Sequence, residues 1–296
     1  MALLNPPASQ LGPHHAIVSG RSRRRGHFTP AFAGPLSIKT VLRGAAVWRT
    51  GERVYRLEPG LGLILNAGSE YTLSIDAREP TETLCAFFRA GAAEDVRRCF
   101  ADSATCLLDD PRKPQQPVRF LETLRPVPSG VRARLLQLRA AVADAADPLA
   151  LDDGFAGLVA QLLDSEALLR RQAVRVPAAR SSTREELLRR LLRARDFIEA
   201  ELGSALTLER IADAACLSPF HCHRAFAGLF RETPHEYVTR RRLERAEALL
   251  GLGGRSVTDV SLDVGFQSLG SFSNLFKRRF GVSPAAYRGR EKRKNR

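Results

Sequence analysis

The sequence predicts an α+β chain in two parts. An N-terminal β-barrel with a helical region behind it precedes a C-terminal all-α domain with two helix-turn-helix units. Three observations predict this. From residue 31 to about 125, short apolar runs are cut by Gly, Pro, Asn and Asp, the grammar of strands and turns. From Val131 onward the apolar spacing changes to three and four, the grammar of helices. The last third of the chain then repeats itself.

Composition sets the bounds. A chain of 296 residues that is 44% hydrophobic has room for about two cored domains. Its formal net charge of +14 favours polyanionic partners, nucleic acid above all. Residues 181–296 hold 22 Lys+Arg against 14 Asp+Glu, so the basic excess is densest there. No apolar run approaches the ~18 residues of a membrane span, so no membrane partner is expected. MALLNPPASQLGPHH lacks a charged region followed by an apolar core, so no signal peptide is expected. The five cysteines (Cys85, Cys99, Cys106, Cys216, Cys222) are odd in number and include no C-x-x-C pair. That indicates neither a zinc site nor a disulfide framework, and it suits reduced thiols in a cytoplasm. No cofactor and no metal are expected.

The elements follow in order. Residues 1–30, rich in Pro, Gly, His and Arg, are expected to form a flexible arm, with Arg21, Arg23, Arg24 and Arg25 solvated. SIKTVLRG, AAVWRTG, ERVYRLEPG, LGLILNAG, EYTLSID and TLCAFFRA are strand-length pieces at the spacing of a small sandwich or barrel. Leu135, Leu138 and Val142, then Leu158, Leu162 and Leu169, fit helices broken near Asp147-Pro148. A regulatory domain over 31–171 with helices suited to dimer contacts is expected, then a linker over 172–182. Ser182-Thr183-Arg184-Glu185 has the form of a capping box opening the next helix. A helical domain over 183–288 and a basic, loosely ordered tail over 289–296 complete the chain.

The duplication is the strongest signal. Ser218, Phe226, Phe230, Thr233, Pro234 and Tyr237 recur as Ser268, Phe276, Phe280, Ser283, Pro284 and Tyr287. Upstream of the turn, Thr207, Ile211, Ala215 and Cys216 correspond to Ser256, Val260, Val264 and Gly265. In each copy a hydroxyl residue (Thr207, Ser256) caps a short helix, and a second (Ser218, Ser268) caps the helix after the turn. Pro219 sits at a first helical position, where its missing N–H costs nothing. Thr233-Pro234-His235-Glu236 is a further capping box, opening a helix that Gly253-Gly254 ends and that joins the copies. Two helices with a tight turn can place the second in a DNA major groove.

LTLERIADAACLSPFHCHRAFAGLFRETPHEYVTRRRLERA and VTDVSLDVGFQSLGSFSNLFKRRFGVSPAAYR resemble the AraC/XylS family of bacterial transcription regulators, over about Ser204 to Arg288. The resemblance implies one monomer meeting two adjacent major-groove segments of promoter DNA. It implies base contacts at Phe220, His223 and Arg224 in the first recognition helix and at Gly270, Ser271 and Asn274 in the second. Arg224 is the best candidate reader, since a guanidinium can grip a guanine edge with two bonds. Gly270 admits only backbone, so the second helix is expected to discriminate less. Arg231, Arg240, Lys277, Arg278 and Arg290 are assigned to phosphates, with solvated surface as the alternative. Cys216 departs from the glycine usual at its turn, where a left-handed backbone would be strained.

The strand-rich stretch, with Leu57 to Gly60 ("LEPG") and the apolar strand after it, is similar to the cupin-type sensing barrel often joined to such domains. That implies a regulator, an activator by resemblance, modulated by a small effector or by homodimerisation, with RNA polymerase a possible partner. Trp48, Tyr55 and Tyr71, with Phe87 or Phe88, are the pocket candidates, each more often simply core. Alternatively, the barrel is a ligand-free interaction module. A cupin enzyme needs clustered metal ligands, and the six histidines (His14, His15, His27, His221, His223, His235) lie outside the barrel pieces. A DNA-repair methyltransferase would need a cysteine-rich metal site that these cysteines do not supply. The chain is therefore not expected to be an enzyme.

Overall fold

The computed structural model describes residues 14–22, 27–75, 80–102, 115–176 and 181–294. The chain divides into two compact units, Met1–Gln172 and Ala173–Arg296. Arg23, Arg24, Arg25, Cys106 and linker residues 177–180 lie outside the described residues.

The first unit is built on two sheets. One has strand order β1 (Ala16–Ser22), β8 (Thr81–Phe87), β3 (Ser37–Arg43), β6 (Leu61–Leu65), β9 (Leu124–Pro126). The other runs β2 (His27–Ala33), β7 (Glu70–Ile75), β4 (Ala46–Thr50), β5 (Arg53–Leu57). All six predicted strand pieces, β3 to β8, are present. Side chains alternate across the first sheet. Val41, Leu63, Leu65, Cys85 and Phe87 join Trp48, Tyr55, Leu57, Tyr71 and Leu73 of the second sheet in the barrel core. Ile38, Ile64, Leu84 and Ala86 point the other way, into a second core under the helices. This sheet is therefore buried on both faces, which is why LGLIL is continuously apolar and why SIKTVLR is buried from Ser37 to Val41 in spite of its polar residues.

Two expectations need correction here. The arm over 1–30 contains strands. β1 pairs antiparallel with β8 from Ala16↔Phe87 to Ser22↔Thr81, and β2 pairs with β7 across a bulge between Thr29 and Phe32. Neither strand has a strong apolar run, so long-range ladder bonds rather than local pattern hold them. Helix α1 (Ala92–Ala101) interrupts a zone expected to be all strand. It starts after Gly91 at φ 78 and buries Ala92 and Ala93 in the second core.

Helices α2 (Ser129–Ala143) and α3 (Pro148–Arg171) fill that core with Val131, Leu135, Leu138, Phe155, Leu158, Val159 and Leu162. The break falls where expected: Asp147 accepts from the N–H groups of Leu149 and Ala150, and Pro148 takes the first helical position. Glu166 on α3 is buried against Arg125 (3.1 Å) and accepts from the Leu121 N–H (3.1 Å), fastening α3 to the chain around β9.

The second unit is helical throughout: α4 (Ser181–Ala200), α5 (Leu208–Ala214), α6 (Pro219–Phe230), α7 (Pro234–Leu252), α8 (Val257–Asp263), α9 (Leu269–Phe280) and α10 (Pro284–Lys294). α4 begins at Ser181, one residue before its expected cap at Ser182, so that hydroxyl lies within the first turn. α10 runs to Lys294, so the tail from Gly289 continues a helix instead of leaving it. Glu291, Lys292, Arg293 and Lys294 are good helix formers and nothing breaks the run. No helix among the described residues is long and apolar enough to cross a membrane.

Candidate nucleic-acid interface

Both helix-turn-helix units are nucleated by the same local chemistry. Thr207 and Ser256 cap the first helices, Ser256 in a reciprocal box with Asp259. Ser218 and Ser268 cap the second helices, accepting from the N–H groups of His221 and Ser271. α7 opens with the full Thr233–Glu236 capping box and ends on Gly253 at φ 73. Each cap satisfies an N–H that no helical carbonyl can reach.

The turns superimpose bond for bond. Cys216 N–H donates to Asp213 O (2.9 Å) and Leu217 N–H to Ala212 O (3.0 Å). Gly265 N–H donates to Leu262 O (2.9 Å) and Phe266 N–H to Ser261 O (3.0 Å). Cys216 accordingly takes the left-handed conformation at φ 52, as Gly265 does at φ 95. The turn is unchanged and the cysteine carries the strain, about 1 kcal/mol for a residue with Cβ.

The aromatic anchors repeat too. Phe226 and Phe230 lie 4.3 Å apart and Phe276 and Phe280 lie 4.5 Å apart, each pair tilted at 48°. Tyr237 meets Phe226 edge-on at 5.6 Å, and Tyr287 meets Phe276 edge-on at 5.7 Å. Tyr237 donates its hydroxyl to Glu199 on α4 (2.6 Å), and Tyr287 donates to Glu247 on α7 (3.2 Å). α7 thus closes the first copy and opens the second, as α4 opens the first. Burial, then the Glu199 carboxylate, pushes the Tyr237 phenol well above its usual range, so it stays a donor.

On α6 the buried stripe is Cys222, Ala225, Phe226 and Leu229, with Phe230 half-buried. Phe220, His223 and Arg224 lie together in the open, and Phe220 is 75% exposed. Phe220 thus takes no part in the core stripe of α6. The Arg224 guanidinium lies 5.7 Å from the Phe220 ring centre, so the ring props the cation at the start of the helix. On α9 Gly270, Ser271 and Asn274 are exposed beside Lys277 and Arg278, while Phe272 and Phe276 anchor the other side. A methyl at Gly270 would find only Ser268 Oγ, 3.7 Å away, so packing in the free protein does not require glycine there.

The phosphate candidates divide. Arg231, Lys277 and Arg278 are exposed. Arg240 is half-buried and closed between two carboxylates, at 2.7 and 3.0 Å from Glu232 and 3.0 Å from Glu244. Glu232 above all holds its pKa above the ordinary value. Arg240 therefore braces α7 to Glu232 just ahead of it, and is less open to a phosphate than the other three. The Arg290 side chain lies outside the described residues.

The barrel candidates Trp48, Tyr55 and Tyr71 are all fully buried in the barrel core, and of the alternatives Phe87 and Phe88 only Phe87 joins them. A fifth residue there was passed over. Lys39, in the middle of β3, is 0% exposed; it donates from Nζ to Tyr71 Oη (2.7 Å) and lies 3.8 Å from the Phe87 ring centre. The available signal was a lysine inside a strand that also carries Ile38, Val41 and Leu42. Among the described residues no group of three His, Cys, Asp or Glu is placed to hold a metal.

Comparison with known proteins agrees with this division. Residues 16–159 match the model of the AraC-like ligand binding domain, and residues 211–290 match that of a helix-turn-helix domain. XylDLEGF operon transcriptional activator 1 of Pseudomonas putida is 24% identical over 94% of this chain and 84% of its own length. The putative HTH-type transcriptional regulator YkgA of Escherichia coli (strain K12) is 35% identical, over 36% of this chain and 44% of its own. Among solved structures, the DNA-binding domain of AdpA in complex with a target DNA is 28% identical at a TM-score of 0.34, covering 35% of this chain and 94% of that one.

Proposed function

The chain belongs to the AraC family of DNA-binding transcriptional regulators, and from that premise we propose that its two helix-turn-helix units divide the work unequally. α6 reads sequence through Phe220, His223 and Arg224. α9 mainly positions the protein, with Lys277 and Arg278 on phosphates and Ser271 and Asn274 adding a weaker reading. The observation that carries this is the contrast between two exposed helix faces: a large aromatic, a histidine and a propped guanidinium on one, Gly-Ser-Asn on the other. Arg224 can take a guanine edge bidentately and Phe220 can touch a thymine methyl, whereas Gly270 offers only backbone. The barrel, in the same reading, takes a small effector that adjusts how the DNA-binding unit acts.

The test is a pair of substitutions measured on specific and random duplexes across a salt series. Arg224→Ala is expected to cost about 1–3 kcal/mol on the specific site alone, with the salt slope little changed. Lys277→Ala is expected to weaken both duplexes alike and to reduce the salt slope by about 1. If both variants lose affinity equally on both duplexes, the division is wrong.

A further inference from the structure

The barrel core contains a charge with no counter-charge. Lys39 is fully buried, and among the described residues no carboxylate is paired with it. An ammonium has three donors, and here one is used, on Tyr71 Oη. The Phe87 and Tyr71 rings, at 3.8 and 4.4 Å, supply the rest of its stabilisation. Burial pulls its pKa down to about 7, and the Cys85 thiol opposes this.

Other polar groups share that interior and are likewise unsatisfied. Ser37 Oγ, Thr83 Oγ1 and Trp48 Nε1 are buried with no hydrogen-bond partner among the described residues. Ser37 lies two residues before Lys39 on the same face of β3. Thr83 lies two residues before Cys85, the register partner of Lys39. Trp48 and Tyr71 reach in from the other sheet. The fully buried polar residues of β3 and β8 are Ser37, Lys39, Thr40, Thr81 and Thr83, with no acid and no carboxamide among them. The interior thus offers donors and hydroxyls around one cation, inside walls of Trp48, Tyr55, Leu57, Leu65 and Phe87. A buried cation of this kind costs stability that a methionine of similar length would not. Its complement is an acceptor with a negative charge and an apolar body.

We propose that Lys39 anchors the acidic group of the effector, so that the barrel takes a small organic monocarboxylic acid. This rests on the reading of the barrel as an effector site. A carboxylate replaces the missing counter-ion and accepts from Lys39 Nζ and from the Ser37 or Thr83 hydroxyl, while the apolar body lies against Trp48 and Phe87. A neutral effector leaves the ammonium unpaired, and a cationic one repels it.

Thermal melting of the full chain tests this with hexanoate, octanoate and 3-phenylpropanoate, each beside its primary amide, on wild type and Lys39→Met. The expected result is that one or more acids raise the wild-type Tm by about 3 °C or more while the amides do not. Lys39→Met is expected to melt higher than wild type without ligand, which shows that it folds, and to lose the response to acids. An equal shift by acid and amide, retained in Lys39→Met, would leave the effector reading standing and overturn the role of Lys39. No shift by any acid or amide contradicts both. A ligand-free Lys39→Met that melts below wild type also overturns the proposal, since Lys39 would then be a structural group.

Discussion

At the scale of single residues, Gly270 and Lys39 show the same thing from opposite directions: each is a poor choice for the free fold. Gly270 sits in the first turn of a helix with open space where a Cβ would stand. Gly270→Ala should therefore raise stability by up to about 1 kcal/mol through helix propensity. If the backbone of α9 lies close to DNA, the same change should weaken duplex binding several-fold, as measured by melting and titration of one preparation. Lys39 has a sign that can be checked by pH. Its folded pKa, near 7, lies below the ordinary lysine value of 10.5. Between those values the unfolded chain holds a proton that the folded one lacks, so stability rises with pH across that window. Tyr71 and Cys85 are the titratable groups beside it, and burial raises the Cys85 pKa above its ordinary value. The advantage of Lys39→Met over wild type in urea melts should accordingly be largest below pH 7 and shrink towards pH 9. The exposure of Arg224 and Phe220 was legible because a helix exposes what its core stripe leaves over. Lys39 was not, because a lysine in a strand ordinarily reaches water, and only the covering of both sheet faces removes that exit.

At the scale of elements, the spacing between the two reading units is fixed by a glycine and an arginine. A Cβ at Gly265 would meet Leu202 O at 2.6 Å and the Arg242 guanidinium at 2.8 Å. Arg242 donates to Leu202 O (2.9 Å) and Ser204 O (2.7 Å), tying the middle of α7 to the end of α4. Gly203 meets the same junction from the other side, its Cβ position 2.8 Å from Asp263 O. Gly265→Ala is therefore expected to cost about 2–3 kcal/mol and to reduce affinity for a two-groove site far more than for a single half. Denaturant melts and gel shifts on whole and half sites would measure this. The helices were legible because capping boxes, Pro at first positions and Gly at ends are local signals. Strands β1 and β2 were not, since Ala16 to Ser22 and His27 to Ala33 gain their order from β8 and β7, far along the chain. The Arg240–Glu232 pair was not legible for a similar reason: Glu232 is eight residues away, outside the same-helix spacing that the other partner, Glu244, obeys.

At the scale of the whole molecule, a two-sheet domain that encloses a lysine with no paired carboxylate among the described residues is joined to a domain with two helix-turn-helix units whose exposed helix faces differ. The repeat was legible as two helix-turn-helix units, and the basic excess as agreeing with a DNA-binding domain. The unequal division is an expectation from the sequence of the two helices, and the Phe-Phe-Tyr anchors of the two copies match in distance and tilt. With the scaffolds so alike, a difference in reading must come from the exposed faces. Selection of bound duplexes from a random library by the full chain, followed by sequencing, tests this most directly. The account predicts an asymmetric site spanning two major-groove segments about 10 bp apart. Most of its sequence information should lie in one segment, and that segment alone should lose definition in Arg224→Ala. A site with equal information in both segments, or one whose preference survives Arg224→Ala unchanged, would contradict it.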